Sequence, residues 1–433
     1  METLIVKNFL TLKDINFKVN SINILIGPQA EGKSLIAKLV YFFKIIPQWF
    51  SFSVFNQYQK KEFDNLLLRD FTDIFPSYSW TGNIFEIKYT YDNTDAEVII
   101  YPKILKSKKT KLYIKYSDGI IKTFKKLKSK YSQYLKKMSL PQEKRDDKIL
   151  IELNKEVADF FHGHLSRGQQ IETMTYIPAG RSFFLNIKSN VWSFIKTGAE
   201  IEYFIKDFGN TFENMKKHYD QNRSIKQGNV PQLFKIVEQI IKGSYHFDKY
   251  ADWIYSTKLK RPTWAMKTSS GQQEFVPMAV VLCALGAIGL KEYAQTFFIE
   301  EPEAHLFPDS QKLIVDLFGL LYNIDQRRLG LFITTHSPYI LTALNNLIQA
   351  DNTLQKIQNK PNMPDLKKKL FKIVPKNLMI SFDHISSYYL FDGKVIDLLH
   401  KQNRIIDSNR IDYISNELQV TFNKLLDIHF EEI

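Results

Sequence analysis

The sequence predicts an α/β protein with a mixed, largely parallel central sheet, an antiparallel β region and a helical lobe. Three apolar stretches have the length and composition of buried strands: residues 22–26 (INILI), 296–299 (TFFI) and 329–335 (LGLFITT). The run SLIAKLVYFF, which follows the first stretch, has helical spacing, and so does the long apolar run that precedes the second. Strands that alternate with helices in this way indicate a parallel sheet covered by helices.

A second pattern occupies residues 47–167, where the segments FEIKYTYD, AEVIIY, KLYIKYSDG and IIKTF alternate apolar and polar residues between turn-like sequences. This alternation predicts an antiparallel meander, and the stretch from Lys144 to His162 is predicted to be helical. Four regions follow from these patterns. They are an N-terminal part of the core (1–46), an inserted β and helical region (47–170), a second part of the core (171–350), and a C-terminal part (351–433).

The C-terminal part is predicted to hold a polar, lysine-rich excursion from Asp351 to Lys376, then the strand ISSYYLFDGKV, then a helix from Arg410 to about Leu426. In the second part of the core, MTYIPAGRS predicts a buried strand and turn before a helix through SFFLNIKSNVWSFI. Both stretches are expected to complete the central sheet.

Positive charge is concentrated in one place. The chain carries a net charge of +13, and the stretch from Lys103 to Lys148 has sixteen lysines and arginines against four acids, an excess of twelve. Such a local field suits a phosphate backbone or an acidic protein. A solvated lysine-rich hairpin with no partner fits the composition equally well, so both interpretations stay open.

The rest of the composition predicts a cytoplasmic protein with no membrane partner. No apolar run in the sequence extends over the roughly 20 residues that a membrane span needs, and METLIVKNFL has a strand pattern, not that of a signal peptide. The single cysteine, Cys283, lies in the apolar stretch FVPMAVVLCALGAIGL. It is predicted to fill the core, because one cysteine forms no disulfide within the chain.

The clearest chemical motif is GPQAEGKS, from Gly27 to Ser34, which lies between a predicted strand and a predicted helix. Its spacing is that of a phosphate-binding loop, in which backbone N–H groups around Gly27, Gln29 and Gly32 surround phosphates. Lys33 is expected to contact the β and γ phosphates, and the Ser34 hydroxyl is expected to bind Mg²⁺. A plain glycine-rich turn is the alternative.

Two adjacent carboxylates, Glu300 and Glu301, follow the predicted strand TFFI. Nucleotide hydrolysis needs one carboxylate that holds Mg²⁺ and another that orients and deprotonates the attacking water. By position, Glu300 is predicted to be the metal-side residue and Glu301 the base.

Two further motifs belong to this set. In Ser269–Gln273 (SSGQQ), the hydroxyl of Ser270 and the backbone at Gly271 and Gln272 lie at a predicted helix start, which suits a γ-phosphate, although an ordinary helix cap has the same residues. His336 ends the predicted strand LGLFITT, where its imidazole could contact the γ-phosphate or the attacking water; a structural histidine is the alternative.

In their order and setting these four motifs resemble those of the ABC ATPases. GPQAEGKS resembles Walker A, SSGQQ the signature motif, FFIEEPE Walker B with its base, and TTHSP the switch histidine. The opening strand ending in Asn8 and Phe9 also resembles the start of SMC, Rad50 and RecF heads. The resemblance implies a P-loop ATPase with an ABC/SMC-head-like fold that uses ATP and Mg²⁺. It also implies that two copies pair head to head, with the signature of one serving the nucleotide of the other.

Four segments together resemble the ATPases of OLD nucleases and related anti-phage systems: YIPAGRS, SSGQQE, IEEPEAHLFP and THSPYIL. Within that group the chain is most similar to the stand-alone ATPases (AriA) of the PARIS defence system, which act with a separate Toprim nuclease. The ATPases of Septu, which pair with an HNH nuclease, are similar as well. No DxD pair of a Toprim nuclease follows Asp351, so the chain is expected to lack a nuclease site.

The motifs also depart from the usual ABC pattern. The first Walker B acid is Glu300 where most ABC proteins have aspartate, and Phe307 stands where the D-loop acid is expected. No glutamine fits the Q-loop, and Arg181 is the candidate for a substitute γ-phosphate sensor, with a structural salt bridge as the alternative.

The resemblance therefore implies an ATP-dependent sensor subunit of a two-component defence system. It would hold a nuclease effector and release it when an acidic phage protein or nucleic acid engages the basic stretch. A DNA-repair ATPase of the RecF or SMC type, which binds DNA directly, is the alternative.

Overall fold

The computed structural model describes residues 1–137, 142–162, 172–187, 201–249, 251–287, 294–324, 329–358, 360–407 and 413–431. Its strands are β1 (Glu2–Phe9), β2 (Leu12–Val19), β3 (Ile22–Ile26), β4 (Glu86–Thr90), β5 (Glu97–Ile104), β6 (Thr110–Tyr116), β7 (Thr173–Ile177), β8 (Gly243–Phe247), β9 (Asp252–Ser256), β10 (Arg261–Trp264), β11 (Gln295–Glu300), β12 (Leu329–Thr335), β13 (Ile385–Phe391), β14 (Lys394–Asp397), β15 (Leu399–His400) and β16 (Ile405–Ile406). Its helices are α1 (Lys33–Phe55), α2 (Lys60–Ile74), α3 (Asp118–Lys137), α4 (Gln142–His162), α5 (Ser182–Ile187), α6 (Tyr203–Arg223), α7 (Val230–Ile241), α8 (Ser270–Ala287), α9 (Pro308–Ile324), α10 (Pro338–Ile357), α11 (Met363–Ile373) and α12 (Tyr413–Glu431).

An eleven-stranded mixed sheet runs through the molecule in the order β6-β5-β4-β1-β2-β14-β13-β3-β12-β11-β7. The five strands from β13 to β7 are parallel to one another, and β1, β2, β4, β5 and β6 pair antiparallel. The predicted α/β class with a mixed sheet is confirmed. The antiparallel strands extend the same sheet, so the two β regions share one hydrogen-bonded ladder.

Apolar side chains pack on both faces of the sheet. One core lies under α1, α2, α3 and α4 and contains the buried residues of β1, β2 and β4. The other lies under α6, α7, α8, α9 and α10 and contains buried residues of β3, β11 and β12. Because the central strands are buried on both faces, they read as continuous apolar runs, which is why the sequence identified them.

The prediction of a strand at IIKTF was wrong, because these residues belong to helix α3. Ile120, Phe124, Leu127 and Tyr131 are buried and recur at helical spacing, so the full stretch has the period of a helix although five of its residues alternate. Helix α2, which buries Phe63, Leu67, Phe71 and Ile74, was also missed within the region expected to be a meander.

Helix α1 continues through Pro47, where the sequence suggested a boundary. Its 23 residues are long and apolar enough to cross a membrane by composition, yet 67% of its most apolar window is buried inside the protein. The helix is therefore part of the core. It is longer than the sequence indicated, because Pro47 does not end it.

The remaining predictions divide into three groups. Helix α4 and the burial of Cys283 are confirmed. The predicted single strand ISSYYLFDGKV is instead a hairpin of β13 and β14, because Asp392 and Gly393 form a turn within it. The expected excursion from Asp351 to Lys376 is largely helical, in α10 and α11. The predicted helix after MTYIPAGRS begins as α5, while Arg410 and the stretch 188–200 lie outside the described residues.

Candidate functional site

The candidate site lies at one edge of the parallel half of the sheet. Strands β3, β12, β11 and β7 are neighbours in that order and run parallel, so their carboxyl ends meet there. The predicted phosphate-binding loop follows β3, His336 follows β12, and Glu300 and Glu301 lie at the end of β11. The carboxyl edge of a parallel sheet is the usual ligand-binding edge of such folds.

The loop from Gly27 to Ser34 joins β3 to the first turn of α1, as the sequence predicted. Pro28, Gln29 and Ala30 are exposed at its tip, while Ser34 is partly buried at the helix start. Gly32 caps the helix at φ 99°, a left-handed conformation that favours glycine. The exposed tip and the free helix N-terminus leave backbone N–H groups open to an anion.

The Lys33 side chain lies across this loop. Its ammonium donates to the carbonyl oxygens of Gly27 at 2.8 Å and Pro28 at 2.6 Å, and it lies 3.3 Å from Nδ1 of His336. Burial lowers the pKa of Lys33 to about 8, although nearby Glu301 acts in the opposite direction. Lys33 forms no salt bridge within the described residues, so the two loop carbonyls hold its ammonium.

Glu300 is buried at the end of β11, and both of its carboxylate oxygens accept hydrogen bonds. Oε1 accepts from the Tyr176 hydroxyl and Oε2 from the backbone N–H of Ala179 at 3.2 Å. Burial, and then the charge of Glu300, raise the pKa of Tyr176 well above its usual range, so this hydroxyl remains a donor. These bonds fix the direction of the carboxylate.

The donor set fits Mg²⁺. Ser34 and Glu300 offer oxygen atoms, which this hard cation prefers, and a carboxylate oxygen has a second lone pair after one hydrogen bond. Ser34 would bind directly to the ion, and Glu300 would hold it through water.

Glu301 and His336 form a pair at the site. Oε1 of Glu301 lies 3.0 Å from Nε2 of His336, and the Glu301 side chain is 41% exposed. The backbone at Glu301 has φ 41°, an uncommon conformation for a residue other than glycine. Its N–H donates to the Thr334 carbonyl at 2.9 Å, which ties this turn to the neighbouring strand.

His336 therefore lies between Lys33 and Glu301. With a proton on Nε2, the neutral imidazole donates to the Glu301 carboxylate and accepts from the Lys33 ammonium at Nδ1. Three polar groups from three separate motifs are thus joined in one row.

Glu303 supports this row and was not singled out by the sequence. Its Oε1 accepts from the Thr335 hydroxyl at 2.6 Å and from the backbone N–H of His336 at 2.7 Å, and the residue is buried. The sequence did contain a signal for Glu303, which is the third acid in IEEPEAH. It was not used, because the two preceding glutamates already accounted for the metal and base roles.

The predicted signature residues lie at the start of α8. Ser269 and Ser270 are exposed, and a Cβ at Gly271 would lie 2.6 Å from the His305 carbonyl, so only glycine fits. The Gln272 side chain donates to the Ile241 carbonyl and accepts from Ser269. The two serines are therefore presented to solvent, while Gln272 is used within the chain.

The contacts of Arg181 match the alternative in which this residue has a structural role. The side chain is fully buried, and its guanidinium donates to the carbonyls of Glu274, Pro178, Glu300 and Glu301 at 2.6–3.0 Å. Burial lowers the pKa of Arg181. In this arrangement Arg181 joins α8 to the turn after β11, and its donors are directed at protein oxygens. Phe307, at the D-loop position, is 75% exposed.

Comparison with known proteins gives one family match. The model of the family described as "AAA domain, putative AbiEii toxin, Type IV TA system" matches residues 22–342. No curated protein matches the sequence at a significant level.

The structure is also similar to several solved structures. An SMC head bound to the C-winged helix domain of ScpA is 12% identical, covers 92% of this chain and 98% of its own, and gives a TM-score of 0.40. The SMC head domain from Thermotoga maritima is 8% identical, with 91% and 97% covered and a TM-score of 0.31. The recombination mediator protein RecF of the RecFOR pathway is 9% identical, with 92% and 97% covered and a TM-score of 0.31.

Proposed function

The chain belongs to the AAA domain family described above, which covers about three quarters of its length, and from this membership we propose that it binds ATP with Mg²⁺ and hydrolyses it. The phosphates would lie on the loop from Gly27 to Ser34. Two copies would enclose each nucleotide, with Ser270 and Gly271 of one copy facing the loop of the other.

The continuous row of Lys33, His336 and Glu301 carries this proposal. Lys33 would exchange its loop carbonyls for the β and γ phosphates, which are stronger acceptors. Glu301, exposed and held by His336, would orient the attacking water and take its proton. Bound Mg²⁺, held by Ser34 and Glu300, would neutralise phosphate charge.

The exposure of Ser269 and Ser270 supports pairing of two copies. A hydroxyl and backbone N–H groups at a helix start bind anions, yet α8 begins on a different segment from the loop that carries Lys33. A nucleotide between two copies would use both sets of groups.

Two substitutions test the ATPase proposal. Lys33→Ala should abolish ATP binding, whereas Lys38→Ala, on the same helix but paired with Glu202, should leave it intact. Glu301→Gln should bind ATP normally and hydrolyse it at least about a hundredfold more slowly, because general base catalysis contributes 10²–10⁴ in rate. Calorimetry and phosphate release measure the two quantities. Equal ATP affinity in Lys33→Ala and the native protein would refute the site.

We further propose that the ATPase is the cytoplasmic sensor subunit of a two-component anti-phage system, similar to the PARIS group, and acts with a separate Toprim-type nuclease. The family description, which names a toxin and a type IV toxin–antitoxin system, supports a defence role. Lys122, Lys125 and Lys126 support an acidic trigger, because these lysines are exposed together on α3. Lys130 is less available, since it bonds Glu156.

Replacing Lys122, Lys125 and Lys126 with glutamate should leave basal ATPase activity unchanged and should abolish protection against phage. Stable co-purification with a nuclease chain would support the defence proposal, and the nuclease type would separate a PARIS-like from a Septu-like system. Strong duplex DNA binding that weakens steeply with salt would instead favour a repair ATPase of the RecF or SMC type.

A further inference from the structure

The C-terminal helix α12 presents an unusual amount of apolar surface. Every residue from 417 to 430 is exposed. The exposed large apolar side chains on this segment are Leu418, Val420, Phe422, Leu425, Leu426, Ile428 and Phe430. By contrast, α2 buries Phe63, Leu67, Phe71 and Ile74 in the core. Contiguous exposed apolar surface of this kind marks an interaction site.

Part of the apolar surface of α12 lies along one stripe. Leu418, the polar Thr421, Leu425 and Ile428 follow one another at intervals of three, four and three residues, and Phe422 lies beside them. Val420, Leu426 and Phe430 lie outside this stripe. In the sequence, Ile414 continues the same spacing toward the N-terminus. A three-four repeat is the spacing that brings one helix stripe against a second helix in a coiled coil. The pattern therefore favours another helix as the occupant over a flat surface.

The charged residues beside the stripe favour a second copy of α12 as the partner helix. Glu417 and Lys424 lie one heptad apart at the same edge of the stripe, and within the described residues neither forms an ion pair. When two copies of α12 run antiparallel with Leu418 opposite Thr421, the edge positions of the two helices face each other. Glu417 of each copy then lies near Lys424 of the other, which gives two opposite-charge contacts.

We propose that α12 pairs antiparallel with α12 of a second copy, and that this contact holds two chains together without nucleotide. The proposal goes beyond the ATP-dependent pairing of the heads, because it uses none of the residues of the nucleotide site. A permanent contact through α12 raises the effective concentration of one head near another, so ATP would close heads that are already tethered.

The test is sedimentation equilibrium of the full chain without nucleotide. The native protein should associate, and Leu418→Ser combined with Leu425→Ser should weaken association at least about tenfold, since each removes an apolar side chain from the contact. Val420→Ser is the matched control, because Val420 is 51% exposed but lies off the stripe, roughly 120° around the helix from its centre. It should associate like the native protein. All three side chains are exposed in the single chain, so the substitutions should not unfold it; circular dichroism checks this.

A charge exchange tests the orientation. Glu417→Lys and Lys424→Glu should each weaken association, and the double variant should restore it. A monomeric native protein, or unchanged association of the Leu418 and Leu425 double variant, would overturn the proposal. Failure of the charge exchange to restore association would overturn the antiparallel arrangement. Lys33→Ala should associate normally without nucleotide, so loss of the ATP site and loss of the α12 contact are distinguishable.

Discussion

Replacing Glu303 with alanine tests whether the buried carboxylate positions the catalytic row. Its Oε1 accepts two hydrogen bonds, from the Thr335 hydroxyl at 2.6 Å and the His336 N–H at 2.7 Å. A hydrogen bond to a charged group contributes about 1.5–3 kcal/mol. The other oxygen, Oε2, is buried without a hydrogen-bond partner among the described residues, which offsets part of this gain. We therefore expect Glu303→Ala to lower the free energy of unfolding by about 2–4 kcal/mol.

Turnover should fall as well. The backbone N–H of His336 loses its acceptor, so the turn that places the imidazole between Lys33 and Glu301 is held less firmly. We therefore expect kcat to fall about tenfold or more with little change in KM.

Glu303→Gln is the matched control. Both bonds go to the same oxygen, so the glutamine carbonyl can accept both, and only the contribution of the charge is lost. Its unfolding free energy should fall by about 1 kcal/mol or less. Urea unfolding and steady-state ATP hydrolysis measure both effects. Equal stability and turnover of the alanine and glutamine variants would refute the positioning role of Glu303.

Three further predictions concern buried charge. Burial lowers the pKa of Lys33 to about 8, and Lys33 must be protonated to bind phosphate. ATP affinity should therefore be constant below pH 7 and weaken about tenfold per pH unit above 8. Calorimetry at several pH values measures this, and an affinity that stays constant to pH 10 would contradict it. Lys44 lies 2.9 Å from both Glu2 and Glu172, so Lys44→Met should remove the ammonium that lies between these two largely buried carboxylates and cost about 3–5 kcal/mol in urea unfolding. A cost under about 1 kcal/mol would contradict this role of Lys44. Arg181→Met should lower stability by a similar amount; a variant with native stability and slow turnover would instead support a γ-phosphate sensor.

The sequence was most informative for functional residues that lie close together in the chain. The loop from Gly27 to Ser34 and the carboxylates at Glu300 and Glu301 were identified because the chemistry depends on a short, contiguous pattern beside an apolar strand. The parallel strands were predictable for a related reason. They are buried on both faces, so composition alone marks them.

The remaining features of the site depend on contacts between segments that are far apart in the sequence. Arg181 pairs with Glu274, and Glu303 pairs with Thr335 and His336, and neither link has a sequence signature. The helix at residues 118–137 was missed in part because a five-residue window fits both periods, and only the longer spacing separates them. Exposure of α12 is likewise a property of the folded chain, since its apolar stripe has the same pattern as a buried helix.

The central proposal is that one ATP is enclosed by Lys33 of one copy and Ser270 of another, and mixing two inactive variants tests it directly. Lys33→Ala retains an intact signature, and Ser270→Arg retains an intact phosphate-binding loop. In a one-to-one mixture half of the dimers contain both variants and each has one complete site, so ATPase activity should recover to about a quarter of the native value. If each chain hydrolysed ATP alone, the mixture would stay as inactive as its components, and that result would contradict the shared site.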